Sequence, residues 1–131
     1  MSILIVDDEV EIRRLLTLFL EYRGYQAISV PNGAEALTLL RHSNPLPELI
    51  LSDWMMPVMD GAAFRQAQQQ NPQLAPIPVV ALSGAADLFA DAPSFRPDAY
   101  LPKPFDFAKL LSLVKQFCSE CPPPQRSRVA L

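Results

Sequence analysis

The sequence predicts an α/β domain in which a parallel sheet carries helices on both faces. Three observations carry the prediction. Short apolar runs without charge, rich in β-branched residues, recur at Ile3 to Val6, Leu49 to Leu51 and Pro78 to Leu82, as strands buried on both faces require. Between them lie stretches whose apolar residues repeat at helical spacing. Strand and helix patterns alternate along the chain, which implies right-handed crossovers and a parallel sheet. With 131 residues and 50% hydrophobic content, one globular domain is expected, able to bury roughly two-thirds of its unfolded surface.

Taken in order, Ile3 to Val6 forms the first strand and ends in Asp7-Asp8-Glu9. From Val10 to Arg23, Ile12, Leu15, Leu16 and Phe19 fall on one face of a helix that Gly24 stops, with Arg13, Arg14 and Glu21 on the wet face. Gln26 to Val30 is a second strand. Asn32 followed by Glu35 resembles a capping box for a helix from Ala34 to Arg41. A loop over Ser43 to Pro47 leads into the third strand, Leu49 to Ser52. Asp60 is a plausible N-cap for a glutamine-rich helix opening at Gly61 and closing before Pro72, because a residue preceding proline is steered out of the helical region. Pro78 to Leu82 is the fourth strand. Pro93 and Pro97 leave room for about two helical turns between Ala85 and Asp98. Ala99-Tyr100-Leu101 is a brief fifth strand, and Pro102 beside it suits only a sheet edge. From the N-cap Asp106, the residues Phe107, Leu110, Leu111, Val114 and Phe117 trace the apolar stripe of a last helix. Residues 121–131, opened by Pro122-Pro123-Pro124, read as a Pro-rich tail or linker stub.

Composition narrows the function. A net charge of −3 and the lack of any Lys/Arg cluster leave no electrostatic footprint for nucleic acid. The N-terminus has no basic region before its four apolar residues, so neither a signal peptide nor a membrane span is expected, and a cytoplasmic location is the default. Cys118 and Cys121 have Cys-x-x-Cys spacing but follow a helix instead of opening one after a strand, which favours an ordinary reduced pair. His42 near a helix end reads as an exposed side chain.

In a sheet of this kind functional groups gather beyond the carboxyl ends of the strands. Asp7 and Asp8 end strand one, Asp53 ends strand three, Ser83 ends strand four and Lys103 ends strand five. Three neighbouring carboxylates repel one another and ask for a divalent cation, and hard oxygen ligands favour Mg²⁺. Such an ion is usually completed by a phosphate oxygen, for which Lys103 offers a charge and Ser83 a donor. The four glycines, Gly24, Gly33, Gly61 and Gly84, compose no phosphate-cradling loop, which excludes a P-loop. The plausible nucleophile is then a carboxylate.

Asp7-Asp8, the run from Asp53 through Met56-Pro57 to Met59-Asp60-Gly61, Ser83, Tyr100 and Lys103-Pro104-Phe105 together resemble the receiver domain of two-component response regulators. The resemblance covers residues 3 to about 118, making 1–120 the receiver (phosphoacceptor) domain. It implies a flavodoxin-like three-layer fold with strand order 2-1-3-4-5 and about five helices. It implies that Asp53 accepts a phosphoryl group from a phosphohistidine on a sensor histidine kinase or histidine phosphotransfer protein. It further implies that Asp8, Asp53 and the Met55 carbonyl hold Mg²⁺, that Asp7 acts through water, that Lys103 contacts the phosphoryl group, and that Ser83 and Tyr100 form a switch pair. The face made by the 85–98 segment, the fifth strand and the last helix would then control a downstream protein or a fused output domain.

Such a module is not an enzyme in the usual sense; it catalyses only its own phosphorylation and slow hydrolysis. A docking module without phosphorylation is one alternative. A haloacid-dehalogenase-type phosphatase is another, but it wants a second acid two residues after the nucleophile, where this chain has Met55. Singly, each residue has a plainer use: Asp7, Asp8 and Asp60 as helix caps, Ser83 as a turn former, Lys103 as a solvated cation. Their convergence is what points to a site.

Overall fold

The computed structural model describes residues 2–43, 45–53, 61–82, 97–102 and 105–118. Five strands, β1 (Ser2–Val6), β2 (Gln26–Val30), β3 (Leu49–Ser52), β4 (Val79–Ala81) and β5 (Ala99–Tyr100), form one parallel sheet in the order β2-β1-β3-β4-β5. Four helices are described: α1 (Val10–Tyr22), α2 (Gly33–His42), α3 (Gly61–Gln69) and α4 (Phe107–Phe117). This is the flavodoxin-like fold and strand order that the sequence implied. The helical turns predicted between Ala85 and Asp98, the Asp60 cap, the residues Met56, Pro57, Met59, Gly84, Pro93 and Pro104, and the tail with Cys121 lie outside the described residues.

Alternation along the strands builds two cores. Leu4, Val6, Ile50, Val79 and Ala81 face one way and pack with Ala36, Leu37, Leu40 and Phe64 of α2 and α3. Ile3, Ile5, Leu49, Leu51 and Val80 face the other way and pack with Leu16, Leu20, Leu110 and Val114 of α1 and α4. Every residue of β3 is buried, the signature of a central parallel strand. Each of the larger aliphatic side chains stabilises the fold by about 1.5–3 kcal/mol on burial.

Local chemistry sets the element ends. Gly24, the one described glycine with positive φ at 94°, closes α1, and the Tyr25 amide donates to the Leu20 carbonyl at 3.0 Å in the same turn. The Asn32 carboxamide accepts from the Glu35 amide at 2.9 Å, as the capping pattern predicted, and its nitrogen reaches the Glu35 carboxylate at 3.5 Å. Asp106 caps α4 by accepting from the amides of Ala108 and Lys109. Pro102 follows β5, which is an edge strand as its chemistry demands.

Several faces differ from the periodic reading. Leu15 stands 45% exposed, while Leu20 and, on α4, Leu113 are buried instead. A helix as leucine-rich as α1 offers more apolar residues than its buried stripe can hold, and the sheet selects among them. Arg13, expected on the wet face, is half-buried. The glutamine-rich α3 hides Arg65 and Gln68 alongside Phe64.

That last departure has a clear cause. Arg65 Nη1 donates to Gln68 Oε1 at 2.9 Å, and Arg65 Nη2 meets Asp98 Oδ2 at 3.2 Å. Gln68 Nε2 in turn donates to the carbonyls of Leu74 and Ile77 at 2.7 and 2.8 Å, holding the connection from α3 to β4. Asp98 Oδ2 also accepts from the Val79 amide at 2.9 Å, and the Asp98 amide donates to the Val79 carbonyl at 2.8 Å, so the entry to β5 is pinned to β4.

Candidate functional site

Register alone brings the acids together. Val6 pairs with Ser52 across β1 and β3, so the next residue of each strand, Asp7 and Asp53, leaves the sheet at the same level on adjacent strands. The Asp53 amide still belongs to the sheet, donating to the Val6 carbonyl at 2.7 Å, and the Asp7 amide donates to the Val30 carbonyl at 3.2 Å. Backbone pairing on both sides of β1 thus fixes where these side chains begin.

Asp7, Asp8 and Asp53 each offer a carboxylate oxygen, and these oxygens lie within 4.8 Å of one another. Asp7 is fully buried, Asp53 is 5% exposed, and Asp8 is open to solvent. The site is therefore a partly dehydrated cleft with one wet wall. Asp7 Oδ1 accepts from the Glu9 amide at 2.9 Å, turning the chain toward α1, and the Asp7 carbonyl accepts from Arg13 Nη1 at 2.7 Å. Ser52, also buried, donates its hydroxyl to the Asp53 carbonyl at 3.1 Å.

The donor set fits a hard divalent cation. Oxygens on opposite sides of an octahedral Mg²⁺ stand about 4.2 Å apart, twice the ion–oxygen distance of about 2.1 Å. A cluster spanning at most 4.8 Å needs only a small side-chain adjustment, or one interposed water, to share such an ion. Gathering three like charges in a cleft with two of them buried is costly unless positive charge offsets it. With oxygen donors alone among these three side chains, a soft metal has little to bind.

Of the other residues that the sequence nominated, Tyr100 ends β5 and is 44% exposed at the sheet edge. Met55, Ser83 and Lys103, along with Trp54, lie outside the described residues. The strands that lead to two of them are in place: the Leu82 amide donates to the Ser52 carbonyl and the Leu101 amide to the Ala81 carbonyl, both at 2.8 Å. His42 is exposed, with Nδ1 2.9 Å from the Thr38 carbonyl of its own helix. Cys118 is buried at the end of α4. None of the described helices is long and apolar enough to cross a membrane.

Two participants were missed in the sequence. Arg13 reads as a solvated arginine until its bond to the Asp7 carbonyl is seen; its place in the first turn of α1, six residues after that acid, was the available signal. Glu9 enters through its backbone amide, which no side-chain pattern reveals.

The chain has relatives in sequence and in fold. The family model for the response regulator receiver domain matches residues 3–115. An uncharacterized 14.6 kDa protein of Leptolyngbya boryana is 38% identical over 125 residues, 94% of each chain. The DNA-binding transcriptional regulator NtrC of Escherichia coli is 36% identical over 127 residues; these make up 95% of this chain but only 26% of that regulator. Among solved structures, the signal receiver domain of a signal transduction histidine kinase from Syntrophus aciditrophicus superposes with a TM-score of 0.82 at 35% identity, covering 91% of this chain and 90% of that one. With its sheet order, its acids at the tips of β1 and β3, and a match over most of its length, the chain belongs to the response regulator receiver domain family.

Proposed function

We propose that this chain is a phosphorelay receiver in which Asp53 takes a phosphoryl group from a phosphohistidine of a sensor histidine kinase or histidine phosphotransfer protein. The observation that carries the reading is the convergence of Asp7, Asp8 and Asp53 at adjacent strand tips. Family membership supplies the expectation of histidine-borne donors.

The chemistry follows from a buried carboxylate. An Asp53 oxygen attacks phosphorus as the phosphorus–nitrogen bond of the donor breaks; the electron pair leaves with the imidazole, which takes up a proton. An ionised carboxylate needs no general base for this step. Hydrolysis of the acyl phosphate is slow: a water oxygen attacks phosphorus, the bond to Asp53 breaks with its electron pair on the carboxylate, and inorganic phosphate leaves with the water's protons. Asp8, Asp53 and the Met55 carbonyl would hold Mg²⁺, with Asp7 acting through water. When bound, the ion supplies positive charge that offsets the carboxylates and the developing charge on the phosphoryl oxygens. Lys103 would contact the phosphoryl group as a compact cation.

Phosphorylation adds about −1.5 to −2 charges and three acceptor oxygens at Asp53. Ser83 is the donor expected to swing toward them, and Tyr100, at the edge strand, the side chain that follows. The shift would repack the face of β5 and α4 and so control a downstream partner, by differential contacts of a few kcal/mol. Residues 1–120 would act as the receiver unit, with 121–131 as a tail, in the cytoplasm. The output would belong to a downstream protein or to a fused domain.

The test is direct. Purified chain incubated with acetyl phosphate and Mg²⁺ should gain the mass of one phosphoryl group, labile to hydroxylamine as acyl phosphates are. Asp53→Asn should not. A chain that takes up no phosphoryl group from acetyl phosphate or a phosphohistidine donor, with Mg²⁺ present, would be a docking module instead.

A further inference from the structure

The side chain of Arg13 is out of place for a surface arginine. Its neighbour Arg14 is exposed, whereas Arg13 is half-buried and turns back from the first turn of α1 to the residue that follows β1. There, Nη1 donates to the Asp7 carbonyl at 2.7 Å, the short distance of a charge-assisted bond. Every other polar group of Asp7 for which a bond is described is also engaged: its amide with Val30 and Oδ1 with the Glu9 amide.

The consequence falls on Asp8. The Asp7 carbonyl and the Asp8 amide belong to one planar peptide unit. Holding that carbonyl fixes the plane that carries the Asp8 amide and Cα, the base from which its side chain starts. Asp8 is the exposed member of the acid cluster, so packing does not orient it as burial orients Asp7. We propose that Arg13 is a positioning residue of the acid site, aiming the Asp8 carboxylate through the Asp7–Asp8 peptide plane and thereby setting the affinity for the divalent cation. This inference rests on the reading of the cluster as a Mg²⁺ site and deepens it.

Removal of a group that orients a metal ligand from behind typically costs 10–100-fold in metal affinity. The experiment is a Mg²⁺ titration of the full chain followed by the fluorescence of Trp54, the sole tryptophan and the neighbour of Asp53 in sequence. Circular dichroism and the melting temperature without Mg²⁺ are recorded alongside. Arg13→Gln is expected to bind Mg²⁺ about tenfold more weakly, against the direction of charge, since loss of a nearby cation would by itself strengthen binding; in 1 M KCl, which screens that opposing effect, the deficit should persist. Arg13→Lys, which keeps a cationic donor, should recover most of the affinity. Should Arg13→Gln fail to fold, Arg13→Met keeps the stem without the donor and takes its place.

A variant that melts earlier yet binds Mg²⁺ as the native chain does would make Arg13 a clamp on stability and overturn the proposal. So would tighter Mg²⁺ binding by the variant, the sign that loss of a nearby cation alone gives. A native chain whose fluorescence and melting temperature both ignore Mg²⁺ overturns the metal reading itself, and the proposal with it.

Discussion

Two partly buried polar clusters in this molecule obey opposite rules. At the tips of β1 and β3, three carboxylates of one sign crowd within 4.8 Å. Where α3 meets β4 and the entry to β5, a guanidinium, a carboxamide and a carboxylate of matching chemistry bond to one another and to the backbone. The second cluster closes on itself: Arg65 faces Asp98, Gln68 faces Leu74 and Ile77, and of the described side chains only Arg65 Nε is buried with no bond. A cluster that closes on itself serves the fold. One that concentrates like charge lowers the stability of the fold and is retained for what it can bind.

The comparison breaks most visibly at Asp98. Its removal leaves the Arg65 side chain, only 8% exposed, facing no carboxylate, and takes the acceptor from the Val79 amide. Asp98→Ala should therefore lower the unfolding free energy by about 3 kcal/mol, the lower end for a buried pair because the Asp98 side chain is 38% exposed. Urea denaturation reads it. The double variant Arg65→Met with Asp98→Ala should recover part of the loss, since no charge is then stranded. A single Asp98 variant as stable as the native chain would mean that the network is surface decoration.

At the acid cluster the signs reverse. Mg²⁺ at a hundredfold excess over its dissociation constant should stabilise the native chain by about 2.7 kcal/mol, because only the folded state assembles the ligands. The same ion should leave Asp98→Ala as responsive as the native chain. In the absence of metal, Asp53→Asn should be more stable than the native chain by about 1 kcal/mol, from the repulsion removed, while its gain from Mg²⁺ falls sharply. Thermal melts with and without Mg²⁺ separate these effects. A neutralised Asp53 that destabilises the apo fold would show that the cluster, too, is structural.

The two regions were not equally legible in the sequence. Asp7, Asp8 and Asp53 announce themselves because each ends an apolar run, and parallel pairing with Val6 opposite Ser52 carries ends of runs to one place. No long-range information is needed beyond the strand order. Arg65 and Asp98, in contrast, are 33 residues apart, one in a helix that reads as polar all round and the other in a loop. Nothing local marks either for burial. Gln68 could have been suspected, since it lies four residues after Phe64 and so shares its face, but a glutamine among glutamines gives no contrast. Leu15 and Arg13 show the remaining gap: periodicity names a helix and its approximate stripe, while the packing partner decides the edges of that stripe.

The smallest effect concerns an acid with a third use. Asp106 is exposed and accepts from the amides of Ala108 and Lys109 at the start of α4. Asp106→Ala should cost about 1 kcal/mol, as loss of a helix cap does, and Asp106→Asn far less, since the carboxamide oxygen accepts the same bonds. Neither should alter the Mg²⁺ response, because a capping carboxylate is already neutralised locally by the amides and the positive end of the helix. Acids at element ends thus divide by the groups described near them: backbone donors at Asp106, a guanidinium at Asp98, and at Asp53 the oxygens of two further carboxylates. A Mg²⁺ titration that shifted in Asp106→Ala as it does in Asp53→Asn would erase that division and return all these acids to the single role of helix capping.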